Sequence, residues 1–229
     1  MVDWLSDTLG LYARVLAKAA TLTRRNWWLA FVPIGYVIAF SFVAMLLAPL
    51  GIVGGFIAYF IWVALLGSWL ALAEQVIRYG RVRTADLGSS LGTYLSDLLT
   101  MFFMLWLLQY ARQMAPSELV RILIGLGTFV FFNAVPELIY LGRRSGAELL
   151  AESYRFIGEN WIEWFPPNVL LALLVAGSFE LPAGPFGVIR AFVLGLMLSY
   201  ATLARGLLFL ELTTSSRRAR EFKRRAAGG

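Results

Sequence analysis

The chain has 229 residues, 59% of them hydrophobic, with a mean hydropathy of +0.72 and a formal net charge of +6. A soluble domain is about 45–50% apolar, so the composition indicates a membrane protein. The absence of cysteine and histidine excludes disulfides, thiolate nucleophiles and imidazole ligands or bases. No paired Asp/Glu motif supports a carboxylate-only lipid hydrolase. We therefore predict a non-enzyme with no catalytic residue, no cofactor and no metal site.

The first 25 residues predict an amphipathic helix that lies in the membrane interface. Leu9, Leu16 and Ala19 recur at helical spacing with other apolar residues, while Arg14 and Lys18 share the opposite face. Charges occur throughout this segment, so it is not a cleavable signal peptide, and the first span is expected to be an uncleaved anchor. The alternative is a helix packed on another soluble domain.

The stretch from Asn26 to Ala73 contains 48 consecutive residues without Asp, Glu, Lys or Arg. A membrane-spanning helix needs about 20 apolar residues, so the stretch is about two spans long. Ala48-Pro49-Leu50-Gly51 lies at its middle and is typical of a turn. The stretch predicts a hairpin, with one span from Trp27 to about Leu47 and a second from Gly51 to about Ala73.

Two more hairpins follow, each preceded by a short amphipathic helix. Both short helices have apolar residues at steps of four, three and four: Leu87, Leu91, Tyr94 and Leu98, then Leu150, Tyr154, Ile157 and Trp161. The spans are expected at about residues 98–111, 117–141, 161–179 and 187–212, with Pro166-Pro167 kinking or delaying the third of these. A turn is expected at residues 181–185.

The predicted fold is therefore all-α: a polytopic membrane protein with six transmembrane helices in three hairpins, each preceded by a cytoplasmic amphipathic helix. The repeat units are about 3–77, 84–142 and 145–212, within a single membrane domain of residues 1–214. Asn160-Trp161 aligns with Asn26-Trp27 at an offset of 134, as Pro167 does with Pro33. With a three-residue gap Ser199 falls on Ser68, whereas the middle unit matches only in outline.

An amphipathic helix that ends in Asn-Trp, followed by a span containing proline, resembles the six-span domains of several uncharacterised prokaryotic membrane families. A related domain precedes the catalytic domain of some bacterial glycerophosphodiester phosphodiesterases. The resemblance covers most of the chain and implies the three-hairpin architecture. It carries over no catalytic residue, and the phosphodiesterase catalytic domain with its acidic metal site is not part of this sequence.

The basic residues predict the orientation. With the amino terminus in the cytoplasm, 16 of the 20 Lys and Arg residues fall in inside segments, three in outside loops and one in a span. The positive-inside rule then places both termini in the cytoplasm of an inner-membrane protein. All three amphipathic helices lie on the cytoplasmic face in this arrangement.

Three ionisable residues, Glu74, Glu137 and Arg205, lie in the second span of their hairpins, toward the cytoplasmic end. Charged groups inside a span are costly and are functional hypotheses by default. We expect a buried polar cluster at one depth. Three interpretations are open: a structural ion pair that joins the hairpins, a site for transport or ligand binding, or three residues that do not contact one another.

Aromatic and basic residues mark the predicted boundary with the cytoplasm. The tryptophans are interpreted as interfacial anchors, or alternatively as interaction determinants within the Asn-Trp pairs: Trp27, Trp28, Trp161 and Trp164. The tail of residues 215–229 is interpreted as an anionic-lipid contact or as a topology signal, and not as a nucleic-acid site: Arg217, Arg218, Arg220, Lys223, Arg224 and Arg225.

No motif identifies a substrate. The first functional hypothesis is a binding or scaffold protein of the inner membrane that engages a membrane or cytoplasmic protein partner, or anionic lipid, through its cytoplasmic face. The second is a small transporter or channel subunit whose path passes the Glu74, Glu137 and Arg205 cluster. A continuous polar path favours the transporter, and a dry apolar centre favours the scaffold.

Overall fold

The computed structural model describes residues 2–146, 148–180 and 187–214, with the backbone alone for residues 2–5. Every secondary-structure element in these ranges is helical, which confirms the all-α class. Short 3₁₀ segments, Trp27–Ala30 and Ala48–Leu50, flank the second α-helix. The α-helices are α1 Val2–Arg25, α2 Phe31–Leu47, α3 Gly51–Tyr79, α4 Asp86–Ser90, α5 Leu95–Gln113, α6 Glu118–Phe131, α7 Val135–Tyr140, α8 Glu148–Phe179 and α9 Gly187–Thr214.

Four helical stretches are long and apolar enough to cross a bilayer: Trp27–Tyr79, Glu118–Tyr140, Glu148–Phe179 and Gly187–Thr214. Their outer surfaces are apolar, and Ile52 and Val188 are 82% and 81% exposed. A soluble monomer rarely exposes apolar surface on this scale. The structure is therefore that of a protein with several membrane-span-like helices.

The chain divides into two compact units. One contains the described residues within 2–93 and 165–208, and the other contains the described residues within 94–164 and 209–214. The helices α8 and α9 each contribute residues to both units.

The predicted first hairpin is present in the first unit. The helices α2 and α3 pack against each other, with the Phe40 and Trp62 rings 5.0 Å apart between centroids. The chain turns at Gly51, whose φ of +55° favours glycine. A Cβ atom on Gly54 would lie 2.0 Å from the Leu47 carbonyl oxygen, so the two helices approach closely because Gly54 has no side chain.

The amphipathic helix α1 buries one face within the protein. The buried residues recur at steps of three and four: Leu11, Val15, Ala19, Leu22 and Asn26. In the predicted apolar stripe, Leu9 is 57% exposed, whereas Ala19 is fully buried. The packed face therefore overlaps the predicted stripe in part, and the position of α1 in the membrane interface stays a prediction.

The second amphipathic helix is not continuous. The helix α4 ends at Ser90, Leu91 is extended, and α5 begins only at Leu95. Gly92 and Tyr94 have φ values of +81° and +64°, in the left-handed region that a right-handed helix cannot contain. Of the predicted stripe, only Leu87 and Leu98 are therefore helical, and Leu91 and Tyr94 lie between the two helices.

Two of the later predictions also differ from the structure. Residues 117–141 are not one helix, because residues 132–134 separate α6 from α7. By contrast, the third amphipathic helix and the fifth span form one helix, α8, which continues through Pro166 and Pro167. Its 32 residues give a length of about 48 Å, more than the hydrocarbon core of about 30 Å. The predicted turn at residues 181–185 lies outside the described residues.

Candidate functional site

Glu74 lies near the end of α3 and forms an ion pair within that helix. The Arg78 Nε atom is 2.7 Å from Glu74 Oε1, at the i, i+4 spacing, and the Glu74 side chain is largely buried. The helix ends one turn later at Tyr79, and Gly80 follows with a φ of +75° and donates its N–H to the Val76 carbonyl. This corner of the first unit is therefore polar.

Asn26 joins the end of α1 to this same corner. Its Nδ2 atom donates to the carbonyl oxygens of Leu22 at 2.9 Å and Gly80 at 3.2 Å, and its Oδ1 atom accepts from the Val82 N–H at 3.2 Å. A buried amide that makes three such bonds fixes the loop after α3 relative to α1. The sequence signal for this role was the Asn-Trp pair, which we interpreted as an interfacial anchor or an interaction determinant and not as a contact within the chain.

Asn160 repeats the local part of that arrangement in the middle of α8. Its buried side chain donates from Nδ2 to the Phe156 carbonyl at 3.0 Å, four residues earlier. The tryptophan that follows each asparagine is exposed, by 56% at Trp27 and 57% at Trp161. Trp28 is half-buried. Exposed indoles beside apolar helices match the residues expected at a membrane interface.

Trp164 differs from the predicted anchors, because its side chain is completely buried in the protein. Its Nε1–H group donates to Asn133 Oδ1 at 2.8 Å, and its ring packs edge-on against Phe156 with 5.1 Å between centroids. An indole needs a hydrogen-bond acceptor when it is buried, and Asn133 supplies that acceptor. Trp164 is therefore a core residue, and it does not reach a lipid surface.

Asn133 lies in the break between α6 and α7, and the sequence analysis did not single it out. The hydroxyl of Ser153, on α8, donates to the Phe131 carbonyl at the end of α6. A broken membrane helix leaves backbone groups without their helical partners, and Ser153 supplies one replacement. The signal in the sequence was Asn133 followed by Pro136, since proline favours the first turn of a new helix.

Glu137 and Arg205 are the other two residues of the predicted polar cluster. Glu137 lies in the first turn of α7 and is 3% exposed. Arg205 lies on α9 beside the buried Ala204 and is half-buried. Contact among Glu74, Glu137 and Arg205 remains a prediction. The basic residues of the predicted lipid-binding tail, Arg217, Arg218, Arg220, Lys223, Arg224 and Arg225, lie outside the described residues.

Within the described ranges, no three His, Cys, Asp or Glu side chains are grouped so as to hold a metal ion. A chain of hydroxyls does occur in the first unit, where the Ser68 Oγ atom lies 2.5 Å from both the Tyr36 hydroxyl and the Ser90 Oγ atom. Ser90 donates onward to the Leu87 carbonyl at 2.8 Å. These bonds join α2, α3 and α4, and they terminate on the backbone, as expected of structural contacts.

Comparison of the chain with protein-family models, curated proteins and solved structures finds no match.

Proposed function

We propose that the chain is a six-span protein of the inner membrane, built from three hairpins, with residues 1–25 and 215–229 on the cytoplasmic side. The spans are α2, α3, α5, the α6–α7 pair, α8 and α9. The helix α5 has 19 residues and rises about 28 Å, close to the hydrocarbon core of about 30 Å. The distribution of basic residues supports the orientation.

Burial at equivalent positions supports the proposed repeat of the first and third units. At the offset of 134, the buried residues Val15, Ala19, Leu22 and Asn26 correspond to the buried residues Leu149, Ser153, Phe156 and Asn160. At the offset of 131, Ser68, Leu72 and Ala73 correspond to Ser199, Leu203 and Ala204, all buried. A shared pattern of packing is expected of related units.

The backbone conformation supports the proposal that the middle unit is also a copy of the repeat. The alignment that places Glu137 on Glu74 has an offset of 63, and the same offset places Arg143 on Gly80. Both residues follow a helix and have positive φ values, +51° at Arg143 and +75° at Gly80. Gly80 directly follows α3 and donates its N–H to the Val76 carbonyl, whereas Arg143 lies three residues beyond Tyr140, the last residue of α7. A left-handed residue is common after a helix, and the two units share one at this offset.

Within this architecture the protein binds anionic lipid or a protein partner through its cytoplasmic face. The observation that carries the proposal is the exposure of Trp27 and Trp161 immediately after a buried asparagine. Indole side chains favour the headgroup region, and most basic residues are assigned to the same side. Each Lys or Arg near an anionic surface contributes about 1 kcal/mol, so acidic lipid is the preferred partner.

The thermal stability of the purified full chain in detergent tests this proposal. Phosphatidylglycerol is expected to raise Tm more than phosphatidylcholine with the same acyl chains. The difference is expected to shrink as salt rises, because screening acts over about 8–10 Å at physiological ionic strength. Equal shifts for both lipids at low salt would remove the preference for anionic lipid. A peptide of residues 215–229, tested on the same lipids in vesicles, separates the tail from the rest of the chain.

A transporter is the second candidate, and one observation favours it. The candidate span Glu118–Tyr140 is broken at residues 132–134, and the buried Glu137 follows the break. Transporters place binding sites at such broken helices. Ala134→Cys distinguishes the two functions, because Ala134 is fully buried. The scaffold proposal predicts no reaction with a membrane-impermeant thiol reagent in intact vesicles, whereas reaction indicates a water-filled path.

A further inference from the structure

An open groove of about 430 Å³ lies in the second unit between α5, α6 and the beginning of α8. Eight residues line it: Leu108, Ile124, Gly127, Thr128, Phe131, Phe132, Leu150 and Tyr154. The volume falls within the range of about 300–1,000 Å³ that is usual for small-molecule sites.

The lining of the groove is apolar. The only hydroxyl on α6 that reaches it belongs to Thr128, and that hydroxyl donates to the Ile124 carbonyl at 2.8 Å. The Phe131 and Tyr154 rings lie 5.0 Å apart at the α8 side of the groove. The surface that lines the groove is apolar, which favours a hydrocarbon chain over a polar ligand.

The size of the groove excludes a helix as the occupant. An α-helix is about 10 Å across and rises 5.4 Å per turn, so the groove volume corresponds to about one turn. Five of its lining residues lie on α5 and α6, and Phe132 directly follows α6. Of these six residues, all except Leu108 belong to the candidate span Glu118–Tyr140. An acyl chain of a membrane lipid matches the volume and the location.

Two basic residues lie close in sequence to Leu150, one of the residues that line the groove. Arg143 and Arg144 precede α8, and Leu150, which lines the groove, lies within the first turn of that helix. The Arg144 side chain is 51% exposed, and its nearest Glu148 oxygen is 3.9 Å away. An exposed ion pair of this length contributes little, so an anionic phosphate competes with Glu148 for this guanidinium.

We infer that this groove holds one acyl chain of an anionic phospholipid, with the lipid phosphate at Arg144. The inference rests on the proposed binding of anionic lipid and identifies the site for it. The lipid is then a resident ligand of the second unit, distinct from the lipids that surround the spans.

Retention of lipid by the full chain tests the inference. Gly127→Leu places a side chain in the groove, and its Cβ meets only the Phe131 ring, at 3.9 Å. Gly35→Leu is the matched control, since a Cβ there meets nothing within 4 Å. After exhaustive detergent washing, native mass spectrometry is expected to find one phospholipid on the wild type and on Gly35→Leu. Retention by Gly127→Leu is expected to fall about tenfold, because lost burial of two methylene groups has that effect.

Equal retention by all three proteins, or no retention by the wild type, overturns the inference. A second experiment uses the wild type and therefore does not depend on the folding of the Gly127→Leu variant. The wild type is allowed to bind a lipid with a photoreactive acyl chain, and crosslinks are expected on the groove residues Ile124, Phe131 and Leu150. Crosslinks confined to other surfaces, such as Ile52 or Val188, mean that the groove is not the site.

The headgroup requires a separate comparison. Arg144→Gln is expected to reduce the preference of the retained lipid for phosphatidylglycerol over phosphatidylcholine by about tenfold, the effect of losing one charge-assisted contact. Arg121→Gln, which removes an exposed arginine from α6, is the control and is expected to change nothing. If the whole chain prefers anionic lipid while Gly127→Leu retains its lipid, the proposed function survives and this site does not.

Discussion

The end of α1 and the middle of α8 carry the same dipeptide, Asn-Trp, and begin with the same hydrogen bond. In each case the asparagine amide donates to the carbonyl four residues earlier, at Leu22 or Phe156. The chain then takes two different courses. The helix α1 ends at Arg25 and a 3₁₀ segment follows, whereas α8 continues to Phe179.

The difference lies in the contacts that each asparagine makes outside its own helix. Asn26 also bonds to Gly80 and Val82 of the loop after α3, which holds the chain away from a helical path. Asn160 bonds only to Phe156 within the described part of the chain. The shared dipeptide therefore does not end a helix by itself, and we attribute the end of α1 to the additional contacts of Asn26.

Replacing each asparagine by leucine gives the largest expected effect. Asn26→Leu keeps the volume but removes the acceptor of the Val82 N–H and a donor to the Gly80 carbonyl. Each buried group left without its partner costs about 1–3 kcal/mol, so we expect a loss of about 3 kcal/mol. Asn160→Leu removes a local bond only and is expected to cost about 1 kcal/mol. Reversible unfolding in mixed micelles, followed by circular dichroism, measures both. Equal losses of stability in the two variants would mean that the contacts of Asn26 with Gly80 and Val82 contribute nothing.

A second comparison uses two tryptophans of α8, the buried Trp164 and the exposed Trp161. Trp164→Phe loses the bond to Asn133 and leaves space in the core, so we expect a loss of about 2 kcal/mol. Trp161→Phe changes an exposed side chain and is expected to stay within about 0.5 kcal/mol of the wild type. A double-mutant cycle of Trp164→Phe with Asn133→Ala should be non-additive. Additive losses would mean that the hydrogen bond contributes nothing to stability.

The left-handed residues give the smallest effect. Gly80→Ala places a Cβ at a φ of +75°, in the loop that Asn26 holds, and is expected to cost about 1 kcal/mol. Arg143→Gly removes a side chain from the same backbone region and is expected to stabilise the protein by about 0.5–1 kcal/mol. If the two substitutions change the free energy of unfolding with opposite signs in one assay, the left-handed positions after α3 and α7 are equivalent. A loss of stability in Arg143→Gly contradicts that equivalence.

Hydropathy and periodicity correctly predicted the helices that are marked by long apolar stretches or by an amphipathic pattern. The uncharged stretch and Pro49-Leu50-Gly51 predicted α2, α3 and their turn, and the amphipathic pattern predicted α1. The same methods missed the break at residues 132–134. This break involves contacts of Asn133 with Trp164 and of Ser153 with Phe131, and hydropathy does not reveal such partners.

The continuity of α8 was also missed. Pro166-Pro167 predicted a kink or a delayed start of the fifth span, since proline removes a backbone donor. The delayed start is wrong, because α8 runs through both residues, and the kink stays a prediction. Trp164, two residues earlier, is held by Asn133 and Phe156. The predicted cluster of Glu74, Glu137 and Arg205 depends on contacts between distant segments, which a sequence pattern does not determine.

The central claim is that the chain crosses the membrane six times, and thiol accessibility in intact cells tests it most directly. The sequence has no cysteine, so a single introduced thiol is the only one that reacts. Met114→Cys and Ser145→Cys change exposed residues, one after α5 and one before α8. The account predicts that an impermeant reagent labels the thiol at position 114 from outside, and the thiol at 145 only after the cells are opened. Labelling of the thiol at 145 in intact cells contradicts it.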